Sequence, residues 1–198
     1  MFIQIEGIDG SGKTTQCDLL HKHMADNKIP AVVVKELAST ELGKRVREIL
    51  MHGELNAATA EMFLFLASKA QAFSEIILPH RAKGECVIAD RGNGSFISYN
   101  ASIGISKELL MEFLNVAHFG VMPDLTVLLD VPVEIAKKRL ESREEKSRFD
   151  LLDASHMERQ GRQFLLLSES MPNWRVIDGT QDKEAIHERI KKEVSGRQ

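Results

Sequence analysis

The sequence predicts an α/β fold in which a parallel sheet is covered by helices. Two observations support this prediction. Short apolar runs alternate along the chain with longer segments of helical periodicity, which is the pattern of successive β-α units. The first apolar run also leads directly into a glycine-rich loop, and a helical pattern follows that loop. Strands of such a sheet are buried on both faces, and their crossover connections are right-handed.

Five runs have the length, β-branched content and continuous hydrophobicity of buried strands. The predicted strands are Phe2–Glu6, Ala31–Lys35, Cys86–Asp90, Leu125–Asp130 and Arg175–Ile177. Seven segments between and after these strands have helical patterns. The predicted helices are Thr14–Asn27, Leu42–Met51, Ala57–Ala82, Lys107–Phe119, Val133–Ser142, Leu151–Ser170 and Asp182–Val194.

The composition is that of an ordinary globular protein. The length of 198 residues predicts a single domain spanning residues 1–198, with 43% hydrophobic and 28% charged residues. A net charge of −3 argues against a large nucleic-acid surface. Apolar runs are too short for a membrane span, and the N-terminus enters a strand with no signal peptide before it. Cys17 and Cys86 are too few for a disulfide framework, so we expect reduced, buried thiols and a cytoplasmic protein without nucleic-acid or membrane partners.

Residues Gly7–Thr14 spell G-x-x-x-x-G-K-T directly after the first predicted strand. Glycines allow the backbone to curl so that successive N–H groups face an anion, and the following helix turns its positive end toward the same place. Lys13 can then reach the terminal phosphates, while the Thr14 hydroxyl is placed to bind Mg²⁺. The motif therefore predicts a site for a nucleoside triphosphate with Mg²⁺.

The third predicted strand ends in Asp90-Arg91, at the sheet edge where the P-loop also lies. An aspartate there is commonly placed to hold Mg²⁺, and an arginine beside it can form a bidentate fork on a phosphate. The alternative is an ordinary strand end with a surface ion pair. Glu36 ends the second strand in the same way, and Arg47 lies on the next helix; alone, these two signals are weak. Phe65 lies in an apolar helix, where a core role is the default for a single aromatic residue, and the sequence alone does not separate packing from base stacking.

Residues Arg139–Arg148 form a charge run without an apolar face. One interpretation is a solvated helix end or loop. The other is a mobile arginine-rich flap that closes over the triphosphate, neutralises charge in the transition state and excludes water.

Taken together, these residues resemble the thymidylate kinase family, P-loop nucleoside monophosphate kinases that phosphorylate dTMP with ATP. Phe2–Gln16 is similar to the opening of the family almost letter for letter, Pro123–Val131 to its fourth strand, and Arg143–Asp150 to its lid segment. Glu61–Arg91 runs in register with its long helix and Asp-Arg strand. The resemblance implies a three-layer P-loop kinase fold, with a five-stranded parallel sheet, helices on both faces and an arginine-rich lid at about residues 139–150.

The resemblance also implies roles for individual residues. Asp9 would contact the sugar of the monophosphate, Arg47 and Arg91 would hold its phosphate, Phe65 would stack on its base, and Tyr99 would close off the sugar side. Asp90 and Glu36 would organise Mg²⁺ and the transferring group, with Thr14 and Asp90 as metal ligands. Lys69 and Ser95 complete the expected acceptor contacts. The residues expected at ATP are Gly7, Asp9, Gly10, Ser11, Gly12, Lys13, Thr14 and Thr15.

The position after Asp9 distinguishes two branches of the family. One branch places an arginine inside the P-loop there, whereas this chain has Gly10. The chain therefore looks like the other branch, in which the lid supplies the catalytic arginine, and Arg143 and Arg148 are the candidates. With Lys13 and Arg91 they form the expected catalytic set.

Several positions depart from the family pattern. The R-E-P-G-G-T after the second strand is K-E-L-A-S-T here, at residues 35–40, and the aromatic residue that follows Asp-Arg is Gly92. Lys69 stands where the base-reading arginine is expected, and Ile97 where a glutamine is common. A lysine cannot form the bidentate fork of an arginine, and a changed hydrogen-bonding group alters discrimination.

The leading hypothesis is a kinase that moves the γ-phosphate of ATP to dTMP, giving dTDP for DNA precursor synthesis. One alternative is a kinase of another pyrimidine deoxynucleoside monophosphate, modified ones included. A further alternative is a P-loop ATPase that transfers nothing. The resemblance also implies a homodimer formed through helices beside the sheet, and the apolar helix Ala57–Ala82 could supply such a face.

Overall fold

The computed structural model describes residues 1–53, 57–101, 103–141 and 154–196. Its centre is a five-stranded sheet with the strand order β2-β3-β1-β4-β5, in which all neighbours are parallel. The strands are β1 (Phe2–Glu6), β2 (Ala31–Lys35), β3 (Cys86–Asp90), β4 (Leu125–Asp130) and β5 (Trp174–Asp178). The predicted fold class is confirmed. Four strands have the predicted bounds, and β5 is one residue longer at each end.

Helices cover both faces of the sheet because alternate residues of each strand point to opposite faces. In β1, Ile3 and Ile5 belong to a core cluster with residues of the first and last helices, while Phe2 belongs to a cluster on the other face. The helices of residues 1–101 are α1 (Lys13–Asp26), α2 (Glu41–His52), α3 (Ala58–Ala72), α4 (Leu78–Ala82) and α5 (Asn93–Ala101). Those of residues 103–196 are α6 (Lys107–Ala117), α7 (Val133–Glu141), α8 (Ala154–Ser170) and α9 (Lys183–Ser195).

The strand order places a crevice at the carboxyl end of β1. The chain leaves β1 toward β2 and β3 on one side, and β4 and β5 lie on the other side. In open parallel sheets, ligands bind at the point where the strand order changes direction. The P-loop follows β1 and therefore lies at this point.

The helix predicted over Ala57–Ala82 is not uniform. After α3, residues Phe73–Ile77 form a π-helical turn, and α4 continues in the same direction. Pro79 lies in the first turn of α4 and has no N–H, so it cannot form the usual bond to a carbonyl four residues earlier. The backbone widens before it instead, and the N–H of Leu78 bonds the carbonyl of Phe73.

Helix α5 lies in a segment for which the sequence predicted no element. Its first residues, N-G-S-F, carry one glycine and two polar residues, which have low helix propensity, and Gly92 precedes them. The helix forms because tertiary contacts outweigh propensity: Asn93, Ser95 and Phe96 are all buried, and a buried carboxylate binds its first turn. This helix carries Ser95 and Tyr99 to the crevice.

Among the described helices, Ala58–Ala82 is long and apolar enough, by length and composition alone, to cross a membrane. The core helix of a soluble protein gives the same signal. Met62, Leu66, Phe73 and Ile77 of this helix are buried among side chains of neighbouring elements. Its apolar content is accounted for in part by this packing.

Candidate active site

The P-loop turns tightly where Gly10 and Gly12 adopt positive φ angles of 82° and 99°. A Cβ at Gly10 would lie 2.3 Å from the carbonyl oxygen of Ala136 in α7, so no side chain fits at this position. Gly12 has open space around it and is required for its backbone conformation alone. Thr14 and Thr15 follow in the first turn of α1 with exposed side chains. The loop is therefore held closely against α7 and opens toward the crevice.

Lys13 is buried and folds back over the loop. Its Nζ donates to the carbonyl oxygens of Gly7 at 2.9 Å and Ile8 at 2.8 Å, and it lies 3.9 Å from Oδ1 of Asp9. Burial, and then the charge of Arg91, lowers the pKa of Lys13 to about 8. The ammonium group is thus only partly compensated by its neighbours, and a phosphate in the loop would supply the missing negative charge.

Thr14 and Asp90 present two oxygen atoms side by side at the mouth of the loop. The Thr14 hydroxyl donates to Oδ2 of Asp90 at 2.6 Å. Oxygen donors of this kind are the ligands that Mg²⁺ prefers, and Mg²⁺ usually keeps several waters and phosphate oxygens as well. Among the described residues, no group of three or more His, Cys, Asp and Glu side chains could hold a metal. The pair fits an ion that arrives with its nucleotide.

Arg91 joins the end of β3 to the P-loop. Its Nη2 donates to Oδ1 of Asp9, and its Nη1 donates to the Ser95 hydroxyl at 3.3 Å. Burial opposes the charge of Arg91, but carboxylates, that of Asp9 foremost, raise the pKa of the guanidinium. Arg91 also has a φ of 76°, a left-handed conformation that is costly for a residue with a side chain. The guanidinium is held charged and oriented by its surroundings.

Glu6 anchors the first turn of α5 from beneath. It is fully buried, and its carboxylate accepts bonds from the Ser95 N–H at 2.9 Å and from the Ser95 hydroxyl at 2.5 Å. Burial raises the pKa of Glu6, although the two bonds from Ser95 act in the opposite direction. Ser95 in turn accepts from Arg91. The end of β1 thereby fixes the helix whose serine contacts Arg91.

A cleft opens beside Arg91 toward the β2 edge of the sheet. Its empty volume is about 450 Å³, including its open mouth. In its wall, Nζ of the buried Lys69 lies 2.5 Å from Oε1 of Glu36 and donates to the carbonyl oxygen of Gly92 at 3.1 Å. Arg91, Lys69, Glu36 and Gly92 all line this cleft. Lys69 is therefore held by a carboxylate and a backbone carbonyl at the position where the family resemblance implies base reading.

Two aromatic side chains lie together near the same crevice. The ring centroids of Phe65 and Tyr99 are 6.5 Å apart, and the Tyr99 hydroxyl donates to Oε2 of Glu61 at 3.3 Å. Phe65 is half-buried at the edge of two core clusters, so one part of its ring packs and another part stays accessible. The structure thus brings Phe65 and Tyr99 together as neighbours.

Some residues singled out from the sequence lie elsewhere. Arg47 is exposed on α2 and does not line the cleft. Ile97 is 2% exposed and packs in the core with Leu110 and Leu114, so this departure from the family pattern is absorbed by the core rather than facing the cleft. Arg143 and Arg148 lie outside the described residues. The predicted lid of about residues 139–150 begins within α7, to which Arg139 belongs, and its residues 142–150 lie outside the described residues.

Three functional candidates were not predicted as such from the sequence. Arg139 lies 3.5 Å from the Ser11 carbonyl oxygen and donates to that of Gly179 at 3.0 Å, which links the P-loop to the loop after β5. Glu6 was predicted only as the last residue of the first strand. His118 is buried in the wall of the cleft. The charged residue at the end of the apolar strand β1 would have been the available signal for Glu6. His118 had no such signal.

Comparisons with known proteins give a consistent result. The sequence model of the family described as Thymidylate kinase matches residues 5–190. A thymidylate kinase of Kosmotoga olearia is 39% identical, covering 98% of this chain and 94% of its own. A thymidylate kinase of Thermosipho melanesiensis is 37% identical, with 97% and 96% coverage. A probable thymidylate kinase of Pyrococcus abyssi is 35% identical, with 96% and 93% coverage.

Proposed function

This chain belongs to the thymidylate kinase family and transfers the γ-phosphate of ATP to dTMP, and we propose that the residues around its P-loop carry out that transfer. The observation that carries the proposal is the convergence of Lys13, the Thr14–Asp90 pair and Arg91 at one end of the sheet. A triphosphate-binding loop and a second cation for an acceptor phosphate are what this reaction requires.

The P-loop holds the donor. Gly7–Thr15 surround the triphosphate, with backbone N–H groups and the N-terminus of α1 directed at its phosphates. Lys13 leaves its carbonyl partners and binds the terminal phosphates. In the free protein, the neighbours of Lys13 compensate only part of its positive charge. This supports the role, because phosphate oxygens are better acceptors for an ammonium group than neutral carbonyls are.

Thr14 and Asp90 would hold Mg²⁺ that arrives with the nucleotide. When bound there, the ion would neutralise negative charge on the phosphates during transfer. The two protein oxygens lie 2.6 Å apart through a hydrogen bond, which supports a shared site. In this proposal Glu36 does not contact the ion; it positions Lys69.

The acceptor lies between Arg91 and Lys69. Arg91 binds its phosphate, with Asp9 and Ser95 as the groups that orient the guanidinium. Phe65 stacks on the base, Lys69 faces the far edge of the base, and Tyr99 closes the sugar side. The phosphate contact that the family resemblance implies for Arg47 stays a prediction, because Arg47 does not line the cleft.

The chemistry follows from this arrangement. An oxygen of the acceptor phosphate forms a bond to the γ-phosphorus while the bond to the bridging oxygen of ADP breaks in line with it. The attacking oxygen is already anionic, so no strong general base is required, and catalysis consists of positioning and electrostatic stabilisation. The lid arginines Arg143 and Arg148 add positive charge after closure of the lid at about residues 139–150, in a single domain of residues 1–198.

Product analysis tests the proposal directly. The enzyme is incubated with ATP, Mg²⁺ and dTMP, and dTDP and ADP are quantified by ion-exchange chromatography. Equal amounts of the two products are expected. ADP formation that dTMP does not stimulate would instead favour a P-loop ATPase and would contradict the proposal.

Two copies of the chain form the active particle in our proposal. Leu109, Phe113 and Val116 lie on one side of α6, and Phe63 of α3 packs against Phe113 with ring centroids 5.9 Å apart. Val116 is 76% exposed and Phe63 is 56% exposed, which is unusual for apolar side chains that lie together. Sedimentation of wild type and Val116→Glu tests this: a dimer is expected for wild type, and a monomer for the variant.

The proposed setting is the cytoplasm. Cys17 and Cys86 are free and buried, and burial raises the pKa of both thiols, which suits a reducing compartment. The proposal includes no nucleic-acid or membrane partner, in keeping with a net charge of −3.

A further inference from the structure

Two buried polar side chains of β1 lie beneath the first turn of α5. Gln4 and Glu6 are two residues apart in the strand, so they point to the same face of the sheet. Gln4 accepts a hydrogen bond from the N–H of Asn93 at 3.2 Å. Glu6 accepts one from the N–H of Ser95 at 2.9 Å. The first N–H groups of a helix have no partner within it, so both side chains anchor α5.

Glu6 has a second contact that sets the direction of a hydroxyl group. Its carboxylate also accepts from the Ser95 hydroxyl at 2.5 Å, whereas the second bond of Gln4 goes to the side chain of Asn93. A carboxylate can only accept hydrogen bonds, so the single hydroxyl proton of Ser95 points at Glu6. The hydroxyl oxygen then has a lone pair for Nη1 of Arg91, which donates to it at 3.3 Å.

The contact between Glu6 and α5 is close and shielded from solvent. Glu6 is 0% exposed and Ser95 is 7% exposed. A Cβ on Gly94 would lie 3.1 Å from Oε1 of Glu6, so the helical turn rests directly on the carboxylate. In a shielded site, a hydroxyl group that donates to a carboxylate becomes a stronger acceptor for its next partner. Glu6 thereby strengthens the bond between Ser95 and Arg91.

The orientation of Arg91 depends on two fixed bonds. Its Nη2 donates to Asp9 and its Nη1 to Ser95. Each of these nitrogens carries two N–H groups, so one N–H on each remains for a phosphate. The two bonds fix the plane of the guanidinium, and a planar fork binds a phosphate well only in the right orientation.

We infer that Glu6 is a positioning residue for the acceptor phosphate, because it directs the Ser95 hydroxyl, which in turn orients Arg91. We call this series of contacts from Glu6 through Ser95 to Arg91 the relay. The inference rests on the proposed function and adds to it a residue that touches neither substrate. It also distinguishes Glu6 from Gln4, which anchors the same helix without bonding the Ser95 hydroxyl.

A double-mutant cycle tests the relay. Glu6→Gln keeps the size of the side chain and an oxygen for the Ser95 N–H, but it places an amide NH₂ group where the hydroxyl proton now points. The proton must turn away, and one of its two remaining staggered positions faces Arg91. We expect KM for dTMP to rise by about fivefold, the effect of weakening one hydrogen bond, while KM for ATP changes by less than about twofold.

Ser95→Ala removes the middle of the relay. This variant should also raise KM for dTMP by about fivefold. Adding Glu6→Gln to Ser95→Ala should raise it no further, because no hydroxyl group is left to direct. Steady-state kinetics of the four enzymes, with each substrate varied in turn, measures the coupling.

Gln4→Met is the matched control for the anchoring role. It leaves the Asn93 N–H without its partner in β1, so the melting temperature should fall, while Glu6, Ser95 and Arg91 keep their contacts. We expect KM for dTMP to stay within about twofold of wild type in this variant. Thermal unfolding of every variant verifies its fold.

Three results would overturn the relay. One is a folded Glu6→Gln enzyme with unchanged KM for dTMP. Another is a Glu6→Gln effect of equal size with and without the Ser95 hydroxyl, which would point to the charge of Glu6 acting directly. The third is an equal rise of KM for ATP and dTMP, which would show general disruption. If wild type does not phosphorylate dTMP at all, the proposed function itself fails, and the inference fails with it.

Glu6→Asp decides the matter should Glu6→Gln not fold. Aspartate keeps the charge, but its side chain is one carbon shorter and draws the carboxylate away from the Ser95 hydroxyl. KM for dTMP should again rise by about fivefold, with KM for ATP nearly unchanged. A Glu6→Asp enzyme with the KM of wild type for dTMP would refute the relay.

Discussion

The Thr14 hydroxyl donates a hydrogen bond of 2.6 Å to Oδ2 of Asp90, which joins the first turn of α1 to the end of β3. Parallel strands deliver their carboxyl ends to one edge of the sheet, and β1 and β3 are direct neighbours. The triphosphate loop and the acidic strand end are thus brought together by strand order alone.

Asp90→Asn should weaken Mg²⁺ binding in the presence of ATP. The amide keeps the shape and can still accept from Thr14, but it lacks the negative charge that favours a divalent ion. We expect the Mg²⁺ concentration for half-maximal turnover to rise by about tenfold or more. Titration of Mg²⁺ at fixed ATP measures this shift. Asp18→Asn, an exposed carboxylate on α1, is the matched control, and a shift of equal size there would contradict the assignment.

Lys13→Met should abolish the pH dependence of ATP binding above pH 8. With a pKa of about 8, the ammonium group of the wild type loses its proton as the pH rises, and phosphate binding must then restore it. The Kd for ATP should increase by up to about tenfold per pH unit above pH 8. The variant should bind weakly, with a Kd that stays flat from pH 7 to 9.5. Calorimetric titration provides the values, with Lys22→Met as the exposed control on α1; a variant that keeps the slope would refute the role of Lys13.

Arg91→Lys should impair acceptor binding more than donor binding. A lysine retains the charge but cannot bond Asp9, Ser95 and a phosphate through one planar group. The strained backbone at position 91 also makes repositioning of a different side chain costly. We expect KM for dTMP to rise by about tenfold or more while KM for ATP changes less than threefold. Steady-state kinetics with each substrate varied in turn measures both, and Arg45→Lys on the exposed face of α2 is the control. Equal effects on both substrates would point to general disruption.

Arg148→Ala and Arg143→Ala should lower kcat more than they raise KM. An arginine that meets the phosphates only in the transition state contributes to kcat, and its loss costs about 10³-fold in related phosphoryl transfers. Arg159→Ala, on the exposed side of α8, should leave both constants unchanged. An Arg148→Ala enzyme and an Arg143→Ala enzyme that both retain full kcat would contradict the assignment of the catalytic arginine to the lid.

Glu6→Gln should change how stability depends on pH. Because burial raises the pKa of Glu6 in the folded state, the folded protein keeps this proton longer than the unfolded chain does. Its contribution to the free energy of unfolding is therefore lost as the pH rises from 4.5 through the raised pKa. Glutamine has no such titration, so the variant should gain stability relative to wild type over that range. Urea unfolding at pH 4.5, 6 and 8 measures the difference, and a constant difference would show that Glu6 titrates normally.

The strands were predicted well because their signals are local. Four of them have the predicted ends, since each is a short continuous apolar run. The predicted burial on both faces was wrong for the two edge strands, because β2 is mostly half-buried and β5 exposes Arg175 and Val176. The P-loop was predicted equally well, because its motif lies in consecutive residues and its backbone conformation depends on their spacing. Helix α5 was not predicted, since its stability depends on Glu6, a residue 89 positions earlier in the chain. The π-helical turn before Pro79 also escaped prediction, as a helical pattern does not reveal how a missing N–H is accommodated.

The residues that contact the acceptor were harder to predict from the sequence, for a physical reason. Whether Ile97 or Lys69 faces a base depends on how α3 and α5 are rotated against the sheet, and no local pattern encodes this rotation. The structure places Ile97 in the core and Lys69 at the cleft, so the two departures from the family pattern have different consequences. His118 gave no signal in the sequence, because its lack of a hydrogen-bond partner among the described residues is visible only in the structure.

The close approach of Gly10 to α7 has a consequence for how such enzymes can change. The Ala136 carbonyl occupies the place of a side chain at position 10, so an arginine introduced there would have to displace a helix before it could reach a phosphate. A single substitution of Gly10 by arginine would therefore not be enough to replace the predicted lid arginine with one in the P-loop. An intermediate with the loop arginine alone would lose packing and gain no activity. Laboratory evolution toward that arrangement should find its first accepted substitutions in α7, before any at position 10.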